Sequence, residues 1–407
     1  MKCGLLGGKL SHSYSPQIHK SLGAYSYELF EKTPDQLEEF LKQENFQGIN
    51  VTIPYKKAVI PYCDILSDRA KQLGVVNTIV RRSDGTLVGH NTDYYGFESM
   101  LKRSGLDPAN KKALVLGSGG ASATVSAVLE ESGSNVVIIS RNSKNNYQNI
   151  DQHNDAAIIV NATPVGMYPD NDSLPVDLNT FPCLEGVLDL VYNPARTQLL
   201  MQAQKRGLIT QNGLWMLVAQ AVESAEWFTG TKYDEKIIET IHSQLSSQMQ
   251  NIVLIGMPGS GKSTIGQYLS KSLGRAFIDV DAEIAARAGL SIPEIFRIFG
   301  EDGFRKLETE ALKEICKKSG IIIATGGGCI TKDENYNILR QNSRIIWIQR
   351  DINRLPTAGR PLSQTYSLQE MYKIREPLYQ HFADDAITND SDVANTAKKI
   401  LDLEGIL

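Results

Sequence analysis

The sequence predicts an α/β protein built on parallel sheets and divided into more than one domain. Three observations carry this. Short β-rich apolar runs alternate with longer stretches of helical period. Three of those runs lead at once into glycines or a polar turn: Ala113-Leu114-Val115-Leu116 before Gly117, Ile252-Val253-Leu254-Ile255 before Gly256, and Ile321-Ile322-Ile323-Ala324 before Gly326. A strand feeding a glycine-rich turn is where α/β proteins bind phosphates. Finally, 407 residues are too many for one ordinary core.

Composition narrows the function classes. Hydrophobic residues are 42% and charged residues 22%, an ordinary globular balance, and the net charge of -4 points to neither nucleic acid nor membrane surface as a partner. The five cysteines are scattered and form no C-x-x-C pair, which fits a reducing cytosol and argues against a disulfide framework or a zinc site. The six histidines show no metal-ligand spacing. Met1-Lys2-Cys3-Gly4 opens no long apolar leader, and the longest apolar runs are strand-sized. Small-molecule substrates remain, anionic ones included.

The polar, aromatic-free stretch Ser243 to Asn251 marks the main boundary, placed near residue 248. Ahead of it, residues 1–100 form one lobe, completed by about 213–247, and 101–212 form a second; 248–407 form the last domain.

In chain order, Ser11-His12-Ser13-Tyr14-Ser15-Pro16 is a polar loop opening a helix. Hydroxyls of Ser13 and Ser15 suit a carboxylate at that helix start; ordinary N-capping by serine explains the same residues. Gly48-Ile49-Asn50-Val51-Thr52-Ile53-Pro54-Tyr55-Lys56 is a strand leading into a proline turn and a lysine. Gly74-Val75-Val76-Asn77-Thr78 and Gly89-His90-Asn91-Thr92-Asp93 follow, with an unusual density of short hydrogen-bonding side chains around Lys56 and Asp93. Gly117-Ser118-Gly119-Gly120-Ala121-Ser122 follows a strand and opens a helix, a variant of the dinucleotide fingerprint. The next strand ends in Arg141, where an NAD site has an acid; arginine suits a 2′-phosphate, so NADP is favoured.

Further on, Gly256-Met257-Pro258-Gly259-Ser260-Gly261-Lys262-Ser263 matches G-x-x-x-x-G-K-[ST] in full, between a β-rich run and an amphipathic helix. Its backbone N–H groups suit phosphates, Lys262 the β/γ-phosphates and Ser263 a Mg²⁺ ion. Phe277-Ile278-Asp279-Val280-Asp281 reads as a strand ending in two acids one residue apart, whose alternation sends both carboxylates to one face. The stretches Gly300 to Glu308, Thr325-Gly326-Gly327-Gly328, Gly359-Arg360-Pro361-Leu362 and Arg375-Glu376-Pro377-Leu378-Tyr379 come next. Phe296 and Phe304 read as core or as the wall of an acceptor pocket.

In this order after a phosphate loop, those segments resemble shikimate kinase over essentially all of 252–407, which implies a P-loop α/β domain of the nucleoside-monophosphate-kinase-like type. The resemblance implies that Asp281, Arg305 and Arg375 bind shikimate, with Gly327 and Gly328 bringing backbone close. It implies Asp281 at the acceptor hydroxyl, Lys262 and Arg360 on the transferring phosphoryl group, and Glu308 orienting the substrate arginine. Gly259, Ser260, Gly261, Lys262, Ser263 and Thr264 would hold ATP, and Ser263 and Asp279 the Mg²⁺. The stretch Asn353 to Tyr366 would be the lid, with Arg354 a loose match to a nucleotide-stacking arginine.

The front segments, with Asn161-Ala162-Thr163-Pro164-Val165-Gly166-Met167, Asp189-Leu190-Val191-Tyr192-Asn193-Pro194 and Asn212 to Gln220, resemble shikimate dehydrogenase over essentially all of 1–240. The resemblance implies two lobes, the second a Rossmann-like NADP domain. It implies a substrate pocket of Ser13, Ser15, Thr52, Lys56, Asn77, Asp93, Tyr192 and Gln220, with Lys56 and Asp93 as the catalytic pair. It also implies a cofactor site at Gly117, Gly119, Gly120, Ala121, Arg141 and Gly213. The sequence departs from the family at Ser140-Arg141-Asn142-Ser143-Lys144-Asn145, where Asn-Arg-Thr and a later base are usual. The short polar stretch from Arg141 to Asn161 predicts a trimmed helix and strand.

The expected function is bifunctional: NADPH-dependent reduction of 3-dehydroshikimate to shikimate, then phosphorylation of shikimate by ATP on the route to chorismate. The alternatives are a quinate/shikimate dehydrogenase preferring NAD in the front half, or a silent binding module there.

Overall fold

The computed structural model of the chain describes residues 1–407 apart from 11–12, 24, 44, 356–366, 391 and 404–407. Two compact units result: Met1–Tyr192 with Thr197–Gln244, and Asn193–Arg196 with Leu245–Leu407.

The first unit holds two sheets. Strands β1 (Lys2–Gly7), β2 (Ser26–Glu31), β3 (Gly48–Val51), β4 (Ile65–Leu66), β5 (Thr78–Arg81) and β6 (Leu87–His90) pair in the order β2-β1-β3-β5-β6-β4. The sheet is mixed, which departs from the parallel sheets expected from sequence: β5 runs antiparallel to β3 and β6. The cause is local. Gly85 takes φ 90° and Arg82 N–H donates to the Thr86 carbonyl at 2.9 Å, closing a hairpin at Asp84-Gly85. Central β3 is buried along its whole length; Ile49 and Val51 pack with Leu6, Leu41, Phe46 and Ile79, and the one polar residue, Asn50, is hydrogen-bonded by its neighbours. Helices α1 (Ser15–Leu22), α2 (Leu37–Gln43), α3 (Asp68–Leu73) and α4 (Asp93–Ser104) belong to this lobe.

The second sheet is wholly parallel: β7 (Lys112–Leu116), β8 (Asn135–Ile139), β9 (Ile158–Asn161), β10 (Gly186–Asp189) and β11 (Ile209–Asn212), ordered β11-β10-β9-β7-β8. Strand order reverses at β7, the position where open α/β sheets bind ligands beyond the carboxyl ends of their strands. Helices α5 (Gly120–Glu131), α6 (Gln198–Lys205) and α7 (Leu214–Thr229) follow β7, β10 and β11. Between β8 and β9 lie only turns and a 3₁₀ turn at Ile150–His153, so the trimming read from the polar stretch is present in the fold. Helix α8 (Lys236–Met249) contains the division between the units and carries regular structure through the polar boundary stretch.

The second unit has one parallel sheet, β12 (Asn251–Ile255), β13 (Phe277–Asp279), β14 (Ile322–Ala324), β15 (Ser343–Gln349) and β16 (Asp385–Thr388), ordered β13-β14-β12-β15-β16. Its helices are α9 (Lys262–Leu273), α10 (Val280–Ala288), α11 (Ile292–Ile315), α12 (Asp333–Arg340), α13 (Leu368–Phe382) and α14 (Val393–Leu403). The strand read over 277–281 ends early. The Asp279 side chain accepts from Ala282 N–H and caps α10, so Asp281 lies on the first turn of a helix and strand alternation does not position it. Helix α11 breaks at Gly300, whose φ of 69° and ψ of -175° leave the helical region. Among the described residues no helix is long and apolar enough to cross a membrane.

Candidate active sites

The first pocket lies in the first unit, above the ends of β3, β5 and β6. Lys56 follows β3 through the turn in which Tyr55 N–H donates to the Thr52 carbonyl at 2.9 Å. Asp93 is the first residue of α4. Lys56 Nζ donates to Asp93 Oδ2 at 2.6 Å, with side chains 21% and 8% exposed, so the pair is half-sheltered yet reachable. Asn77 lies beside it, buried: its Oδ1 accepts from Thr92 N–H at 2.7 Å and its Nδ2 donates to Thr92 Oγ1 at 3.0 Å. Gln220 on α7 meets Thr92 Oγ1 at 3.5 Å. Ser13 Oγ accepts from Ser15 N–H at 3.2 Å, and Ser15 is buried at the start of α1. The N-cap there is Tyr14, which makes no side-chain cap bond. Tyr14 instead packs edge-on against Tyr192, ring centroids 6.2 Å apart, which places the serine loop against the loop after β10. Burial, then the neighbouring Tyr14, pushes the Tyr192 hydroxyl up to about 12.

Sequence reasoning named the Asn- and Thr-rich turns but missed what joins them. Tyr27 Oη donates to Asn50 Oδ1 at 2.7 Å, Asn50 Nδ2 donates to Thr78 Oγ1 at 3.1 Å, and Thr78 and Thr92 hydroxyls stand 3.1 Å apart. This buried chain backs Asn77 and satisfies its polar atoms without water. Its sequence signal was the density of short polar side chains on β3, β5 and β6; its partner on β2 gave none.

The glycine turn after β7 opens toward this pocket. Gly117 holds φ 112°, Gly119 is the N-cap of α5, and Gly120 begins the helix, followed by Ala121. A Cβ on Gly120 would lie 4.0 Å from Lys56 Cδ, which puts the turn beside the Lys56–Asp93 pair. Ser122, at the third fingerprint position, is buried and donates to the Gly117 carbonyl at 2.7 Å, closing the turn. Gly213, the N-cap of α7, stands where a Cβ would come 2.0 Å from the Leu190 carbonyl oxygen, so only glycine fits. Arg141 and Lys144 are exposed at the carboxyl end of β8, in a loop in which Ser140 N–H donates to the Asn145 carbonyl at 3.2 Å.

In the second unit the phosphate loop spans β12 and α9. Gly256, Gly259 and Gly261 take φ values of 144°, 84° and 102°, which ordinary residues adopt rarely. Lys262 Nζ donates to the Gly256 and Met257 carbonyls at 2.9 and 3.0 Å. Asn389 Nδ2 donates to the Ser260 carbonyl at 2.7 Å and Arg350 to the Gly259 carbonyl at 3.1 Å, bracing the loop from outside. Ser263 and Thr264 are exposed in the first turn of α9, and Ser263 Oγ donates to Asp279 Oδ2 at 2.5 Å. That pair offers two adjacent oxygens, a donor set that fits Mg²⁺, which takes one or two protein oxygens beside phosphate and water.

A second pocket adjoins the loop. Arg305 is buried; its Nη1 donates to Glu308 Oε2 at 2.6 Å, and its Nη2 to Glu301 Oε1 at 3.4 Å. The Thr325–Gly328 turn enters this cluster so closely that a Cβ on Gly326 would lie 2.5 Å from Glu308 Oε1 and 2.7 Å from Asp281 Oδ1, and one on Gly328 2.1 Å from Arg305 Nη2. A Cβ on Gly327 would lie 2.6 Å from Pro258 Cδ of the phosphate loop. Arg375 Nη1 and the Tyr379 hydroxyl donate to the Gly327 carbonyl at 3.3 and 2.5 Å. Among the described residues Asp281 Oδ1, Glu308 Oε1 and Arg305 Nε are buried without a protein partner, a concentration that makes this a candidate ligand site. Burial, then the charge of Asp279, raises the Asp281 carboxyl; burial pushes Glu308 up to about 6 against the pull of Arg305. Phe296 and Phe304 stack at 4.6 Å, with Phe304 buried in the core. Arg360 and nearly all of the expected lid fall within 356–366, outside the described residues; Arg354 sits exposed in a 3₁₀ turn just before them.

Comparison with known proteins divides the chain the same way. The family model of the shikimate dehydrogenase substrate binding domain matches residues 5–79, and that of shikimate kinase matches residues 258–404. The shikimate dehydrogenase (NADP(+)) of Clostridium perfringens strain SM101 is 38% identical over 264 residues, spanning 60% of this chain and 97% of that one. Among solved structures, shikimate dehydrogenase 1 from Peptoclostridium difficile aligns at 38% identity with a TM-score of 0.56, covering 60% of this chain and 97% of its own. A chorismate mutase/shikimate 5-dehydrogenase fusion protein from Clostridium acetobutylicum aligns at 35% identity and a TM-score of 0.57, covering 60% and 96%.

Proposed function

We propose the following reactions for a chain that belongs to the shikimate dehydrogenase family and carries a shikimate kinase domain behind it, a bifunctional enzyme of the shikimate pathway. The first unit reduces 3-dehydroshikimate to shikimate with NADPH. The second phosphorylates the 3-hydroxyl of shikimate with ATP. The observation that carries the first reading is the Lys56–Asp93 pair at 2.6 Å beside the Gly117–Gly120 turn.

Bound NADPH supplies the hydride. As it reaches the ketone carbon, the oxygen becomes an alkoxide and needs a proton and a nearby positive charge. Lys56 Nζ meets both needs, and Asp93, accepting its hydrogen bond at 2.6 Å, keeps it aimed. Ser13, Ser15, Thr52, Asn77, Tyr192 and Gln220 orient the ring and its carboxylate. Gly117, Gly119, Gly120, Ala121 and Gly213 leave room for the dinucleotide. Arg141, with Lys144 exposed nearby, favours a 2′-phosphate, in keeping with the NADP(+) named for the Clostridium perfringens relative.

In the second unit Arg305 and Arg375 take the substrate carboxylate, and Asp281, beside the triple glycine, accepts the proton of the attacking hydroxyl. Its raised affinity for protons suits that role. Lys262 and Arg360 meet the charge on the transferring group and Gly259 to Thr264 bind the nucleotide phosphates; Ser263 and Asp279 would hold a Mg²⁺ ion, which would neutralise part of the phosphate charge. The five cysteines, all free, fit a reducing cytoplasm.

The test gives the purified chain 3-dehydroshikimate, NADPH and MgATP while NADPH loss and shikimate 3-phosphate are followed together. NADPH-dependent appearance of the phosphate supports both readings. Phosphorylation of added shikimate with NADPH and NADH both untouched sinks the reductase reading and leaves a binding module.

A further inference from the structure

Asp189 ends β10, one residue before the loop that carries Tyr192, and its side chain is fully buried. A buried carboxylate is costly unless its oxygens are satisfied, and an apolar residue would suit stability alone better. Among the described residues no basic side chain is one of its hydrogen-bond partners. It has three donors instead, each from a different segment. Asn161 Nδ2, at the end of β9, donates to Oδ1 at 2.9 Å; Val191 N–H donates to the same oxygen at 3.0 Å; Thr197 Oγ1, the N-cap of α6, donates to Oδ2 at 2.6 Å.

Asn161 in turn winds the loop that follows it. Its Oδ1 accepts from Thr163 N–H and Oγ1 at 3.1 and 2.6 Å, its Nδ2 donates to the Val165 carbonyl at 3.2 Å, and Val165 N–H donates to Thr163 Oγ1 at 3.2 Å. This loop touches the glycine turn: a Cβ on Gly117 would lie 3.0 Å from Thr163 Cγ2 and 3.1 Å from the Ala162 carbonyl oxygen. On the other side of Asp189, the Leu190 carbonyl forces glycine at 213. One carboxylate thus ties together the loop under the cofactor turn, the loop bearing Tyr192 and the start of α6.

We propose that Asp189 is a positioning residue for the reduction, fixing the Ala162–Met167 loop against the cofactor turn and the Leu190–Tyr192 loop against the substrate. This rests on the reading of the Gly117 turn as the NADPH site. Asp189 touches neither substrate nor cofactor itself. Burial pushes its carboxyl up to about 6 while Thr197, Val191 N–H and Asn161 pull it down, so the three donors work to keep the acceptor form.

The experiment measures initial rates of 3-dehydroshikimate reduction with the full-length chain, varying NADPH and substrate separately. Asp189→Ala should raise KM for NADPH about tenfold and lower kcat, because displacement of a positioning loop by an ångström costs that much or more. Asp189→Asn should recover most of the loss, since its amide oxygen still accepts from Asn161 and Val191 and its nitrogen meets the Thr197 hydroxyl. A smaller folded fraction lowers kcat and leaves KM alone, so an unchanged KM for NADPH in Asp189→Ala overturns the proposal. If Asp189→Ala does not fold, Asn161→Ala, which leaves Asp189 two donors, must raise the same KM; an unchanged value overturns it equally. An inactive native chain would sink the underlying reading, whereas an active native chain with an indifferent Asp189→Ala sinks the positioning role alone.

Discussion

The two pockets solve the problem of a sheltered charge in opposite ways. In the first, Lys56 and Asp93 satisfy one another at 2.6 Å, and the polar atoms behind them close into the Tyr27–Asn50–Thr78–Thr92 chain. In the second, Asp281 Oδ1, Glu308 Oε1 and Arg305 Nε have no protein partner among the described residues, while Lys262 donates to two carbonyls of its own loop. On the proposed roles, the first is assembled before substrate arrives and the second is completed by it. Hydride transfer needs one cation at one oxygen, and a preformed pair supplies that. A phosphoryl acceptor such as shikimate brings hydroxyls and a carboxylate, and unpartnered carboxylate oxygens beside a guanidinium N–H leave places for both.

The sharpest way to break this comparison is Lys56→Ala. Reduction should fall by about 10²–10⁴-fold, while phosphorylation of added shikimate stays within about twofold of native. An equal fall in both would end the picture of independent sites. Asp281→Asn should lower phosphoryl transfer over a similar range, about 10²–10⁴-fold, and leave reduction alone; near-normal turnover removes Asp281 from the mechanism. Arg305→Lys keeps the charge but loses the planar fork, so KM for shikimate in the kinase assay should rise about 10–100-fold. Arg141→Ala sharpens the cofactor reading: KM for NADPH should rise about tenfold with that for NADH unchanged, and an equal change in both would separate Arg141 from the 2′-phosphate.

The smallest effect is on stability. Burial holds Glu308 at about 6 in the folded chain, above its ordinary 4.5. A carboxyl whose folded value is raised keeps its proton better when folded, so its contribution is full below pH 4.5 and is lost as pH rises through about 6. The change is about 2 kcal/mol over that window. Glu308→Gln should flatten it in thermal unfolding of the full chain between about pH 4 and 7, followed by circular dichroism. A native-like pH slope in the variant would assign the effect elsewhere.

What was legible followed from strong local signals. Runs such as Ala113–Leu116 and Ile252–Ile255 are strands because no helix buries so short an apolar run on all sides, and the glycines after them need backbone angles only glycine takes readily. The antiparallel β5 was missed because its signal is two residues, Asp84-Gly85, inside a stretch read as part of a parallel α/β pattern. Asp281 was put on a strand because Asp279 reads equally well as the last strand residue and as a helix cap, and only the hydrogen bond to Ala282 decides it. Asp189 and the chain from Tyr27 to Thr92 join residues far apart in sequence, and no periodicity announces such a meeting.

Asp279 shows what a carboxylate gains from having two oxygens. Oδ1 accepts from Ala282 N–H and holds the start of α10, while Oδ2 faces Ser263. The duties fall on separate atoms, so an ion taken up at Ser263 and Oδ2 would leave the Oδ1 bond to the helix start in place. Asp281 rides two residues further along that helix. On the proposed roles, the backbone that carries Asp281 is therefore held by an oxygen other than the one offered to the ion.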